Sequence, residues 1–185
     1  MADVKESAGT EDFRYPIGRF EFNGDTSPRS RAQRIDQIAA APGQLRSAIA
    51  ELSPEQLDTP YRAGGWTVRQ VVHHLPDSHL NAYTRMKLAL TEDEPTIKPY
   101  EEARWAELPD ARTGPVEVSL ALLDLLHQRW VLLLRQLAPA DFIRGFRHPE
   151  HGRVFVLDES LALYAWHGRH HVAQITSLRR RLGWG

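Results

Sequence analysis

The stretch WTVRQVVHHLPDSHLNAYTRMKLAL, residues 66–90, carries the clearest helix signal in the sequence. Thr67 followed by Gln70 is a capping box, in which the side chain of each residue accepts the backbone N–H of the other. Apolar residues then recur at helical spacing and form one stripe, Val68, Val72, Leu75, Ala82 and Met86. We therefore expect an amphipathic helix that runs to about Leu90, bent at Pro76, with its stripe against a core.

Two further helices are predicted, and each has a proline in its first turn. The first should begin after Ser27, with Pro28 in its first turn, and should be kinked or split at Pro42–Gly43. The third should start at Pro115, and because it is apolar over much of its circumference we expect it to be the most buried. Residues 13–28, in which Phe20 and Phe22 alternate with polar neighbours, should be extended.

The C-terminal third of the chain predicts a hairpin and then a fourth helix. Residues 142–157 have strand-like alternation on both sides of HPEHG, residues 148–152, which fits a turn. The fourth helix should extend from an Asp158 cap to about Leu182. Together these elements predict an all-α, antiparallel four-helix bundle with a small β-hairpin between helices three and four. Residues 1–12 should form a disordered tail, and residues 13–185 a single domain.

Composition excludes several classes of function. Lys and Arg number 23 against 24 Asp and Glu, so there is no net positive field for nucleic acid. There is no apolar run long enough to cross a bilayer and no secretory pattern at the N-terminus, so we expect a cytoplasmic protein. The absence of cysteine removes thiolate nucleophiles and thiolate metal sites, and any transition metal must therefore use nitrogen and oxygen ligands.

Nine histidines remain to be sorted by helical phase. In YAWHGRHHVAQI, residues 164–175, His167 and His171 lie one above the other on the border of the buried face, whereas His170 should point into solvent. In the helix of residues 66–90, His73 should also be in water. His74 lies on a polar row beside the apolar stripe, together with Ser78, Asn81 and Arg85.

This arrangement predicts a metal site. Two imidazoles at i and i+4 can bind one ion, and His74 from a facing helix completes three nitrogen ligands with a position left open for water or substrate. A chance HxxxH pair without function is the alternative on spacing alone. Hydrogen-bonded core residues are the expectation for His79 and His127, and solvated hairpin residues for His148 and His151.

Residues 64–108 and 163–180, with RYPIG at 14–18, resemble the DinB/YfiT superfamily, specifically its YfiT-type metal-dependent hydrolases. The family pattern places a tryptophan at a helix start, a ligand eight residues later and two ligands four apart on the last helix. Here these positions are Trp66, His74, His167 and His171. The resemblance implies a four-helix bundle, a Zn²⁺ or Ni²⁺ site, and a homodimer.

The chemistry expected from this resemblance is hydrolysis of a small-molecule substrate by water activated at the metal. Asp77, one turn after His74, is a candidate base or ligand-orienting group, and Asn81 and Arg85 are candidate substrate contacts. Two alternatives stay open. One is a thiol S-transferase that uses bacillithiol, mycothiol or glutathione, and the other is a non-enzymatic bundle that binds metal or ligand.

Overall fold

The computed structural model describes residues 12–184, so the expected tail lies outside the described residues apart from Asp12. Four long helices dominate the described chain: α1 (Pro28–Ile49), α3 (Val68–Thr91), α6 (Val116–Leu134) and α7 (Leu157–Leu182). Shorter helices are α2 (Pro54–Leu57), α4 (Glu102–Trp105) and α5 (Pro109–Thr113), and a 3₁₀ turn spans Asp141–Ile143. Strands β1 (Gly145–His148) and β2 (Arg153–Val156) pair antiparallel between α6 and α7. The predicted fold class is confirmed.

Local sequence signals explain where the helices begin. The Thr67 hydroxyl accepts the backbone N–H of Gln70, and the Gln70 side chain accepts that of Thr67, so the predicted capping box is formed. Ser27 caps α1 in front of Pro28. Against expectation, Pro42 neither splits nor ends α1, which continues to Ile49. A proline inside a helix leaves the carbonyl four residues earlier without its usual partner, and here that carbonyl belongs to Ile38.

Asp158 does not have its predicted role as the cap of the last helix. The helix begins at Leu157 with Val156 as its cap, two residues earlier than a cap at Asp158 would place it, and Asp158 lies in its first turn. Its carboxylate instead accepts two hydrogen bonds from Arg31, at 2.7 Å from Nε and 2.6 Å from Nη2. Asp158 is almost fully buried, so this bidentate ion pair fixes the start of α7 against α1. The sequence predicted a cap because Arg31 is 127 residues away from Asp158 and meets its carboxylate only in the folded chain.

The four long helices enclose two apolar clusters. One surrounds the fully buried Trp130, and the other includes Leu45, Leu75, Leu123 and Ile175. Helix α1 packs on α6 and α7, and α3 packs on the same two helices, so α3 and α7 face each other across one side of the bundle. At Gly168 an added Cβ would lie 3.0 Å from the Cβ of Ala41, so the glycine permits the close approach of α7 to α1.

Helix α6 is less buried than its composition suggested. Its inner face carries Leu120, Leu123 and Trp130. A row of apolar side chains on its outer face is exposed instead: Val118 by 65%, Leu122 by 44%, Leu125 by 65% and Leu132 by 70%. Apolar residues all round a helix predict burial on every side only if a neighbour covers each face, and no described residue covers this one.

The segment before α1 is not helical, as predicted, but residues 12–18 are not extended: they form two turns, closed by hydrogen bonds from Tyr15 N to the Asp12 carbonyl and from Gly18 N to the Tyr15 carbonyl. The segment lies along α7. The ring of Phe20 packs on Trp166, with 5.9 Å between the ring centroids. The backbone carbonyl of Arg14 accepts a hydrogen bond of 2.9 Å from Gln174 Nε2. No helix in the described part of the chain is long and apolar enough to span a membrane.

Candidate metal centre

His74 on α3 and the pair His167 and His171 on α7 converge on one point between the two helices. One ring nitrogen of each lies within 4.8 Å of the other two. His167 Nε2 is 3.4 Å from His74 Nε2 and 3.2 Å from His171 Nε2. Two nitrogens bound tetrahedrally to one ion at about 2.0–2.1 Å would be about 3.3 Å apart. The spacing therefore fits ligands of a shared ion.

A chain of hydrogen bonds fixes the tautomer of His167. It starts at the Ile38 carbonyl, which Pro42 leaves free and which can only accept, at 2.6 Å from His127 Nδ1. His127 Nδ1 therefore carries a proton, and in the neutral ring Nε2 accepts. That nitrogen lies 2.8 Å from His79 Nδ1, and His79 Nε2 lies 3.0 Å from His167 Nδ1. The same donor direction along the chain leaves the lone pair of His167 on Nε2, facing the other two histidines.

A second set of hydrogen bonds orients His171. The carbonyl of Arg14 can only accept, so the neighbouring Gln174 nitrogen donates and the amide orientation is fixed. Gln174 Oε1 then accepts from His171 Nδ1 at 2.9 Å. This places the His171 lone pair on Nε2 as well. Outer partners of this kind hold metal-ligating histidines in the required tautomer and ring orientation.

Burial keeps the three converging imidazoles neutral. Burial, with a smaller contribution from the neighbouring His170, lowers the pKa of His74 to about 4. For His167, burial comes first and His171 second in moving the pKa well below its ordinary value, and for His171 burial and then His74 act in the same direction. The assigned lone pairs of His167 Nε2 and His171 Nε2, which are 3.2 Å apart, repel one another unless a cation lies between them. The donor set therefore fits a divalent ion.

The three histidines line a cavity of about 670 Å³. An apolar wall includes Phe146, Phe155, Leu163 and Trp166, and Trp66 packs on His74 with ring centroids 4.7 Å apart. Polar residues line the rest of the cavity, among them Ser78, Arg85, Tyr164 and His170. A cavity of this size, partly apolar with a few polar groups, suits a small molecule.

The sequence also suggested Asp77, Asn81 and Arg85 as functional residues, and the structure places them differently. Arg85 lines the cavity. Asn81 lines a different groove, and its Nδ2 donates to the backbone carbonyl of Asp77. Asp77 makes no hydrogen bond to His74 in the part of the chain described, and burial together with Asp110 raises its pKa to about 6. Arg85 is thus the candidate of the three that the fold brings beside the histidine cluster.

Two histidines expected in water are buried. His73, 7% exposed, makes hydrogen bonds to Ser119 Oγ at 2.7 Å and to the Gly114 carbonyl at 3.1 Å. His170, 5% exposed, stacks on Trp166 and lies under Tyr15. Helical phase gave the position of each histidine relative to the apolar stripe of its own helix. It could not show that residues around Gly114 and the N-terminal segment cover the faces expected to be open.

The remaining histidines divide into core and hairpin. His79 and His127 are hydrogen-bonded core residues, as predicted, but they also form the chain that ends on His167. The sequence signal for that chain was weak. Proline in α1 marked a free carbonyl without indicating what would bond it. In the hairpin, His151 is exposed as expected, whereas His148 is partly buried, and both line the cavity.

The chain is similar to known proteins over most of its length. The family model described as the DinB superfamily matches residues 37–175. A protein of Bacillus mycoides strain KBAB4, named "putative metal-dependent hydrolase", is 57% identical over 174 residues, covering 94% of this chain and 99% of that protein. A protein of Bacillus cereus strain B4264 with the same description is 56% identical over 173 residues, with the same coverage.

The chain also matches a solved structure. It is YfiT from Bacillus subtilis, described as a probable metal-dependent hydrolase with an unusual four-helix bundle topology. The two folds superpose with a TM-score of 0.92 at 48% sequence identity, over 94% of this chain and 99% of that one.

Proposed function

The chain belongs to the DinB superfamily, and from this premise we propose that it is a metal-dependent hydrolase whose centre is the cluster of His74, His167 and His171. The observation that carries the proposal is the convergence of three neutral imidazole nitrogens, two of them with their lone pairs fixed by hydrogen bonds. The names of the relatives support hydrolysis as the reaction.

We propose Zn²⁺ or Ni²⁺ as the ion. The chain has no cysteine, and the cluster offers only imidazole, a ligand that suits both metals. Three protein ligands are the number found in catalytic zinc sites, where a further position takes water or substrate. A divalent ion held there would supply Lewis acidity and activate water for attack at neutral pH.

The residues around the cluster would bind and orient the substrate. The apolar wall of Phe146, Phe155 and Leu163 excludes water from one side of the cavity. Arg85 is the proposed polar contact, because its Nη2 donates to the Lys98 carbonyl and thereby holds the guanidinium in place. His79 and Gln174 keep the histidine ligands oriented.

The test is an assay of the metal-loaded protein on a panel of small esters, amides and lactones, with and without bacillithiol, mycothiol or glutathione. We expect product release without added thiol, and its loss after chelation of the metal. Conjugation that requires a thiol would instead establish the thiol S-transferase alternative. Metal binding without turnover on either arm would leave a binding protein and contradict the hydrolase.

We also propose that two copies of the chain associate through the outer face of α6. Val118, Leu122, Leu125 and Leu132 are exposed apolar side chains on that face, and exposed apolar patches mark contact surfaces. Sedimentation velocity should show a dimer for the unmodified chain and a monomer for Leu125→Glu. A monomer in both cases would contradict the proposed association and leave the hydrolase proposal unaffected.

A further inference from the structure

Buried polar atoms without partners are concentrated at the cavity of the histidine cluster. In residues 12–184, five buried side-chain nitrogen or oxygen atoms make no hydrogen bond. Four of them belong to residues that line this cavity: Arg85 Nε, His148 Nδ1, Trp166 Nε1 and His170 Nδ1. A buried polar group left without a partner costs about 1–3 kcal/mol. Such groups collected around one cavity indicate a polar ligand that partners them.

At least three of these four atoms are donors. The Arg85 and Trp166 nitrogens carry a proton and cannot accept. His170 is assigned by its neighbour: Gln174 Nε2, whose donor role is fixed by the Arg14 carbonyl, lies 3.0 Å from His170 Nε2. His170 Nε2 therefore accepts, and the proton is on Nδ1. The missing partner must offer several acceptors.

The charges of the cavity favour an anion as that partner. Arg14, Arg62 and Arg85 line it, against Glu102 as the single acidic residue among the lining residues described. The ion pairs found among residues 12–184 include none of these three arginines. Arg62 uses its donors on the Tyr61 hydroxyl and the Ala63 carbonyl, whereas Arg85 keeps its buried Nε free.

We propose that the substrate carries an oxyanion group, a carboxylate or a phosphate, in addition to the bond that is hydrolysed. Arg85 supplies the charged contact, and Trp166 and His170, two residues that line the cavity, supply neutral N–H donors. The aromatic and aliphatic wall takes the apolar part of the same molecule. This inference rests on the proposed function for the hydrolysed bond, but the oxyanion site itself needs no metal.

The experiment measures binding to the metal-free full chain, so that an anion cannot bind through the metal. The probes are phenylacetate, benzylphosphonate and the neutral phenylacetamide. We expect at least about tenfold tighter binding of an anionic probe than of the amide, because hydrogen bonds to charged groups are worth more than neutral ones. The better of the two anionic probes distinguishes carboxylate from phosphate.

Two substitutions test whether Arg85 and Trp166 cause the preference for an anionic probe. Arg85→Gln should remove the anion preference, while Trp166→Phe, which keeps the ring and loses only the N–H, should weaken anion binding by about two- to tenfold. Arg46→Gln is the matched control, because it makes the same charge change at an exposed position on α1 that does not line the cavity. Circular dichroism melting shows which variants are folded, and the Trp166→Phe arm decides if Arg85→Gln unfolds.

The outcomes separate this inference from the proposed function. An anion preference that survives both Arg85→Gln and Trp166→Phe, or equal binding of all three probes, overturns the oxyanion site even if the metal-loaded enzyme hydrolyses neutral esters. A preference that these variants abolish supports the site even if no hydrolysis is found, and in that case only the hydrolase proposal fails.

Discussion

Replacing His74, His167 or His171 by alanine is expected to abolish tight binding of one equivalent of zinc or nickel, and with it hydrolysis. Each change removes one of three converging nitrogens, and no other group of three or more potential ligands is found among residues 12–184. Metal content of protein purified without an affinity tag, measured by elemental analysis, provides the readout. The loss of affinity should be well above the roughly 10–100-fold that removal of an outer-sphere partner causes.

A graded series makes this experiment sharper. His127→Phe keeps all three proposed ligands but removes the acceptor of His79 Nδ1, so the tautomer of His167 is no longer fixed. Metal affinity should fall by about 10–100-fold. His151→Ala is the control, because His151 lines the same cavity and is exposed without belonging to the cluster. If His74→Ala and His171→Ala both retain one bound metal with unchanged affinity, the assigned centre is wrong.

The metal-free protein should lose stability steeply as the pH falls from about 6.5 to 4. Burial lowers the pKa of His127 in the folded protein to about 4, whereas an unfolded histidine titrates near 6.5. Between these values the unfolded chain binds a proton that the folded chain does not, so the free energy of unfolding decreases on acidification by about 1.4 kcal/mol per pH unit. His127 alone then contributes roughly 3 kcal/mol of lost stability across this window.

Other buried histidines act in the same direction. Burial is the largest cause of a lowered pKa for His73 and for His79 as well. The full effect of pH should therefore exceed that of one residue, and it should be fully relieved above pH 6.5. Urea unfolding of the chelated protein at pH 7.5, 6, 5 and 4.5 measures it. A free energy of unfolding that is constant over this range would contradict the neutral buried histidines.

Local sequence determined most of the architecture. The starts of α1 and α3 follow from capping side chains that bond backbone groups three residues away, and such contacts need no tertiary structure. The apolar stripe of α3 and the turn of the hairpin depend on the same kind of short-range pattern. His167 and His171 were accessible to this reasoning because i and i+4 positions share a helix face wherever the helix lies. His74 was selected by its polar row beside the apolar stripe and by its position eight residues after Trp66.

What the sequence could not determine is which groups from distant segments meet. Helical phase set His73 and His170 on outer faces, yet Gly114 and the N-terminal segment cover them. The same limit applies to Asp158, whose partner Arg31 is 127 residues away. It applies also to the free carbonyl of Ile38, which acquires its meaning only when α6 brings His127 within 2.6 Å. Helix positions and the histidine pattern are local properties of the chain, whereas the direction of every proton around the candidate centre depends on contacts that exist only in the folded molecule.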